Sequence, residues 1–116
     1  MKDTYNMSPD PSAVVLVVEG DQVDLLDDVV VNTDARVLLE AARQSNGFAV
    51  VTGPLWEEDG GALGAYAADS NAVVSAVKVV LKGIDRHLSD EFSQWMILTN
   101  NDTKKRVTRY LRKEAH

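Results

Sequence analysis

Three short segments of the chain are apolar at almost every position, and they constrain the fold more than any other feature. They cover residues 13–18 (AVVLVV), 48–52 (FAVVT) and 94–99 (QWMILT). A strand with one exposed face alternates apolar and polar residues, whereas a strand that is apolar on both sides of its pleat needs cover on both faces. The sequence therefore predicts buried β-strands with helices packed against the sheet that they form.

Between and after these strands, apolar residues recur at helical spacing. The predicted helices cover residues 33–44, 70–88 and 103–114, and their expected N-caps are Thr33, Ser70 or Asn71, and a residue of segment 100–102. Serine, threonine, asparagine and aspartate favour this position because their side chains accept a hydrogen bond from a free backbone N–H. Asn46 or Gly47 is expected to end the first helix in the left-handed conformation.

Residues 22–31 allow two interpretations. Gly20 and Asp21 suit a two-residue hairpin turn, which would be followed by strands over residues 22–26 and 29–31. In the alternative, residues 22–31 form one short helix, since Val23, Leu26 and Val30 also share a helical face. The valine-rich composition favours the strands.

The expected fold is therefore α/β, with α+β as the alternative. It is a mixed β-sheet with an N-terminal antiparallel hairpin followed by αβαβα, and the helices pack on the sheet. Residues 53–70, which hold four glycines and a proline, form the longest irregular stretch, with room for a short strand or turn. Residues 1–12 are expected to be a flexible arm, and residues 13–116 a single domain.

Composition removes several kinds of chemistry. The 116 residues include no cysteine and only two histidines, which excludes thiolate chemistry, cysteine-ligated zinc and a histidine-rich metal site. The glycine-rich, nucleophile and zinc-binding motifs of common enzyme families do not occur. No apolar run is long enough to cross a bilayer, and residues 1–12 do not resemble a signal peptide. We expect a cytoplasmic, non-catalytic protein with no cofactor and no membrane contact.

The order of elements suggests one catalytic alternative. A β-hairpin and a strand followed by alternating helices and strands resembles the ribonuclease H-like fold. In that family, acidic residues on the first strand, on the first helix and after later strands gather around divalent metal ions. The resemblance places Glu19 or Asp21, together with Glu40 and Asp102, at such positions and implies a metal-dependent nuclease or phosphoryl-transfer enzyme. The segment 49–53 lacks the acid that the family would place there.

Charge is divided unevenly along the chain. Residues 1–70 hold thirteen acidic and three basic residues, a net charge of −10, while residues 71–116 hold five acidic and nine basic residues, a net charge of +4. Lys78, Lys82 and Arg86 recur every four residues and share a helix face. The bases at 104–106 lie in the first turn of the last helix, where positive charge opposes the helix dipole.

This division predicts a contact surface. The candidate binding residues are Lys78, Lys82, Arg86, Lys104, Lys105, Arg106, Arg109 and Arg112, with Trp56 and Tyr66 as aromatic anchors. We expect a small interaction or regulatory module that binds a protein partner, or a second copy of itself, through this basic helical surface. A nucleic-acid-binding accessory protein is the second alternative, although the net charge of −6 disfavours it.

Overall fold

A computed structural model of the chain describes residues 15–84 and 95–115. Within them four strands form one mixed sheet in the order β3-β2-β1-β4. The strands are β1 (Val15–Glu19), β2 (Phe48–Thr52), β3 (Leu63–Ala67) and β4 (Trp95–Leu98). β1 is antiparallel to β2 and parallel to β4, and β2 is antiparallel to β3. The predicted α/β class, a mixed sheet with helices packed on it, is confirmed.

Helices lie on both faces of the sheet. They are a 3-10 helix (Gly20–Leu26), α1 (Thr33–Ser45), α2 (Val73–Ile84) and α3 (Asn101–Ala115). The 3-10 helix and α1 bury their apolar residues against one face, and α2 and α3 bury theirs against the other. Leu16 and Val18 of β1 point to the first face, while Val15 and Val17 point to the second, and all four are at most 1% exposed. The two-sided burial expected of β1 is confirmed.

The predicted N-terminal hairpin is wrong, because the alternative helical pattern prevails over part of the segment. Residues 20–26 form the 3-10 helix, and Val23, Leu26 and Val30 are buried together against α1. β1 is a central strand whose two edges are occupied by β2 and β4, so no edge is left for a strand over residues 22–26. Residue 29 ends a turn and residues 30–31 form no regular element, with only Val30 of the three buried.

The antiparallel hairpin lies instead between β2 and β3. β3 falls inside the stretch predicted to be irregular, and the loop of residues 53–62 that precedes it contains Gly53 and Gly60 at positive φ. Asn46 is the only non-glycine residue at positive φ within the described residues, with a φ of 57°. It ends α1 in the left-handed conformation and is one of the two residues predicted to do so.

The caps of α1 and α2 differ by one or two residues from those predicted. Asn32, not Thr33, caps α1, and its Oδ1 accepts from Ala35 N at 3.1 Å. Asp69, not Ser70 or Asn71, accepts from the backbone of Asn71 and Ala72 ahead of α2. These caps have the predicted side-chain chemistry at neighbouring positions.

The predicted arm, residues 1–12, lies outside the described residues, as does Arg86. No helix within residues 15–84 and 95–115 is both long enough and apolar enough to cross a bilayer.

Candidate functional site

The last helix is fixed to the sheet along one side. Val107 and Leu111 are fully buried, and Thr103 is 1% exposed, so residues spaced four apart face the core. Val107 and Leu111 pack with Val15 and Val17 of β1 and with the apolar side of α2. Since one side of α3 is held in this way, its opposite side faces solvent.

The start of α3 is attached to the end of the central strand. Asn100 Oδ1 accepts from Thr103 N at 2.9 Å and so caps the helix. The backbone N and the Nδ2 of Asn100 both donate to Glu19 Oε1, at 3.1 and 3.4 Å. Glu19 is the last residue of β1, so these hydrogen bonds fix the first turn of α3 relative to the sheet.

The solvent side of α3 carries an open groove of about 430 Å³. Among the described residues, those that line it, and that define the α3 groove, are Asn101, Lys104, Lys105, Thr108, Arg109 and Arg112. They follow the spacing of a single helix face, and the four basic residues extend for about 12 Å along the helix axis. The α3 groove therefore concentrates four positive charges on a short surface.

No carboxylate among the described residues lies within ion-pair distance of these four basic side chains. The arginines of α1 differ in this respect. Arg36 lies 3.2 Å from Asp27, and Arg43 lies 3.1 Å from Asp24 and 3.2 Å from Asp27. The cations of α1 are thus neutralised locally, whereas those of the α3 groove remain available to a ligand.

Among the described helices, the division of charge along the sequence becomes a division between the two faces of the sheet. Residues 20–45, which include the 3-10 helix and α1, hold six acidic and two basic residues. α2 and α3, on the other face, hold eight basic and two acidic residues. An anionic ligand is therefore attracted to the face that carries the α3 groove.

The structure brings together only part of the predicted binding set. Lys104, Lys105, Arg109 and Arg112 line the α3 groove, but Arg106 points elsewhere and donates from Nη1 to Asn71 Oδ1 at 2.9 Å. Lys78 and Lys82 are exposed on α2 and do not line the α3 groove.

The two predicted aromatic anchors lie on the opposite side of the sheet from α3. Trp56 is half-buried and packs against the core beneath α1. Tyr66 lies in β3, and its hydroxyl is 2.6 Å from Ser45 Oγ at the end of α1. Neither side chain contributes to the α3 groove.

Two polar residues of the α3 groove were not among the sequence-based candidates. Asn101 and Thr108 are seven residues apart and share a face with the basic residues. The helical spacing alone was enough to identify them, and both add hydrogen-bonding groups between the charges.

The acidic residues of the catalytic alternative do not form a metal site among the described residues, where no group of three or more His, Asp or Glu could hold an ion. Glu40 accepts from Gln44 Nε2 at 3.2 Å and lies 3.9 Å from Arg43 Nε on α1. Asp21 and Asp102 follow β1 and β4 instead. In addition, the ribonuclease H-like resemblance rested on a hairpin that directly follows β1 in sequence. The structure has the 3-10 helix and α1 between β1 and β2, so that element order is not observed.

No family model matches the chain, and neither a curated protein nor a solved structure compared with it gives a match.

Proposed function

We propose that the chain is a non-catalytic, cytoplasmic interaction module that binds an acidic segment of a protein partner in the α3 groove. The observation that carries this proposal is the set of four basic side chains on one helix face without an ion-pair partner among the described residues. Carboxylates suit these residues, since arginine donates to a carboxylate through two parallel hydrogen bonds.

The position of two of the lysines supports a role in binding. Lys104 and Lys105 are the fourth and fifth residues of α3, which begins at Asn101, two residues earlier than predicted, so they lie beyond its first turn and the helix dipole acts on them only weakly. Arg109 lies one turn after Lys105, where like charges repel each other. Four neighbouring cations also repel one another. Folding therefore gains nothing from the charges at 104 and 105, whereas an anionic ligand would benefit from them.

The surroundings of the α3 groove favour a polypeptide over a nucleic acid. Among the described residues no aromatic side chain lines it, so this part of its wall offers no surface on which a base could stack. Its charged length of about 12 Å matches three or four residues of an extended peptide. The net charge of −6 would also repel a long polyanion that extended beyond the groove.

Fluorescence anisotropy with two labelled probes tests the proposal. A peptide of about ten glutamates and an oligothymidylate of about ten nucleotides carry comparable charge and differ in chemistry. The peptide is expected to bind more tightly than the oligothymidylate, with an affinity that falls as salt is raised. Tighter binding of the oligothymidylate would support the nucleic-acid alternative, and the absence of peptide binding at low salt would contradict the proposal.

A matched pair of variants tests whether peptide binding depends on the α3 groove or on the net charge of the chain. K104E/K105E and K78E/K82E each replace two exposed lysines and change the net charge from −6 to −10. The first is expected to weaken peptide binding at least about tenfold, and the second about twofold or less. Equal losses in both variants would show that binding depends on overall charge and not on this site.

A further inference from the structure

Within residues 15–84 and 95–115, β3 is an edge strand without the usual protection against pairing. Among the described residues it pairs only with β2. Its sequence, LGAYA, contains no charged residue and no proline. Edge strands in monomeric proteins are usually protected by lysine, proline, a bulge or a covering loop, because their free N–H and C=O groups can pair with another strand.

Apolar side chains extend the surface beside this edge. Leu63 and Tyr66 of β3 are 39% and 41% exposed, and Val79 of α2 is 56% exposed. Gly83 lies against Leu63, where a Cβ would collide with the leucine side chain, so α2 runs closely beside β3. Val79 precedes Gly83 by one helical turn and therefore lies on the same flank of α2.

We propose that the β3 edge binds a second copy of this chain, with the two β3 strands antiparallel about a two-fold axis at Ala65. In a two-fold contact each residue near the axis meets its own counterpart, so a charged residue there meets a like charge. The α3 groove and the acidic segment of residues 20–28 would repel themselves in such a contact. β3 and the adjoining flank of α2 (Ala76, Val79 and Gly83) carry no charge.

The strand sequence also suits this pairing. Antiparallel register about Ala65 places Leu63 opposite Ala67 and Gly64 opposite Tyr66. Each pair then joins a large side chain to a small one, which lets the two strands approach without a clash between bulky groups. Val79 and its counterpart would face each other above the strands and bury their exposed apolar surface.

The pairing would join the two sheets into one of eight strands. A two-fold axis perpendicular to that sheet keeps both α3 helices on the same side, about 25–35 Å apart given the usual spacing between strands. If the α3 groove binds acidic segments as proposed above, the dimer would present two such sites to one partner. The dimer itself does not depend on that function.

Sedimentation velocity tests this proposal without any ligand. The wild-type chain is expected to shift from monomer to dimer between about 1 and about 300 μM. Val79→Glu and Val79→Lys should each weaken dimerisation at least about tenfold, because each places two like charges near the axis. An equimolar mixture of the two variants should recover the dimer, since unlike charges then face each other.

Leu25→Glu serves as the control. Leu25 is 66% exposed on the 3-10 helix, on the other face of the sheet from α2, and its replacement changes net charge by the same amount as Val79→Glu. It should leave dimerisation unchanged within about twofold. A wild-type chain that remains monomeric at about 300 μM would contradict the proposal and leave the edge open to a strand of another protein. Failure of the mixed variants to associate would contradict the two-fold geometry.

Discussion

Gly20→Ala is expected to lower the free energy of unfolding by about 2–3 kcal/mol. A Cβ at position 20 would lie against the carbonyl oxygen and carbon of Ala42 near the end of α1, and against the Cα of Asn46. These are backbone atoms that cannot rotate away. The same residue donates from its backbone N to Gly47 O at 2.8 Å, so separating the two segments would also weaken that hydrogen bond.

Gly61→Ala provides the matched control. A Cβ there would meet only Asp34 Oδ2 at 3.9 Å, an ordinary contact, and Gly61 does not have a positive φ. Its unfolding free energy should stay the same or rise by up to about 1 kcal/mol, because alanine restricts the unfolded chain. Urea unfolding, monitored by circular dichroism, measures the free energy of unfolding of both variants. Equal losses for the two variants would show that the close approach of Gly20 to α1 is not essential.

Asn32→Asp is expected to lower the free energy of unfolding by about 3 kcal/mol at neutral pH. Asn32 is fully buried, its Oδ1 accepts from Ala35 N, and its Nδ2 donates to Gly60 O at 2.8 Å. A carboxylate keeps the first hydrogen bond but places a negative charge against the Gly60 carbonyl oxygen, away from water. The helix dipole favours that charge by only about 1 kcal/mol, less than the cost of its burial.

This cost should depend on pH. Burial raises the pKa of the introduced carboxyl above the ordinary range of aspartate, and the protonated form can donate to Gly60 O. A raised pKa in the folded state means a stability deficit at high pH that shrinks as the pH falls through that pKa. The deficit relative to wild type should therefore be smaller at about pH 4.5 than at about pH 7.

Asn32→Ala supplies the comparison. It removes both hydrogen bonds without adding charge, so its deficit should be about 2 kcal/mol and nearly independent of pH. Denaturant unfolding of both variants and the wild type at the two pH values provides the measurement. A pH-independent deficit for Asn32→Asp would contradict the account of a buried donor at this position.

The strands that could be predicted are those whose burial is evident from local sequence. β1 and β2 are apolar at nearly every position, which identifies them without knowledge of their partners. β3 could not be predicted in the same way, because Gly64, Ala65 and Ala67 have little preference for strands. It is a strand because it pairs with β2, which is a property of the tertiary structure.

The error at residues 22–31 has a related origin. Valines and leucines in this segment suit either a strand or a helix, and the choice depends on whether β1 has a free edge. Both edges of β1 are occupied, one of them by β4, nearly eighty residues later in the chain. Local sequence does not contain that information.

The candidate site shows the same limit. Helical spacing was enough to place Lys104, Lys105, Arg109 and Arg112 on one face of α3. It could not show that Arg106 is hydrogen-bonded to Asn71, or that Trp56 and Tyr66 lie across the sheet. Those facts depend on the order of strands and on which face each helix covers.

The most direct test of the central claim is to measure stability and affinity in the same variant, K104E/K105E. Glutamate at position 105 replaces repulsion from Arg109, one helical turn later, with attraction, so unfolding should require up to about 0.5 kcal/mol more free energy than in the wild type. Affinity for the glutamate peptide should fall at the same time. A variant that is less stable yet binds the peptide as well as the wild type would show that these lysines serve the fold, and would contradict the assignment of the α3 groove as a binding site.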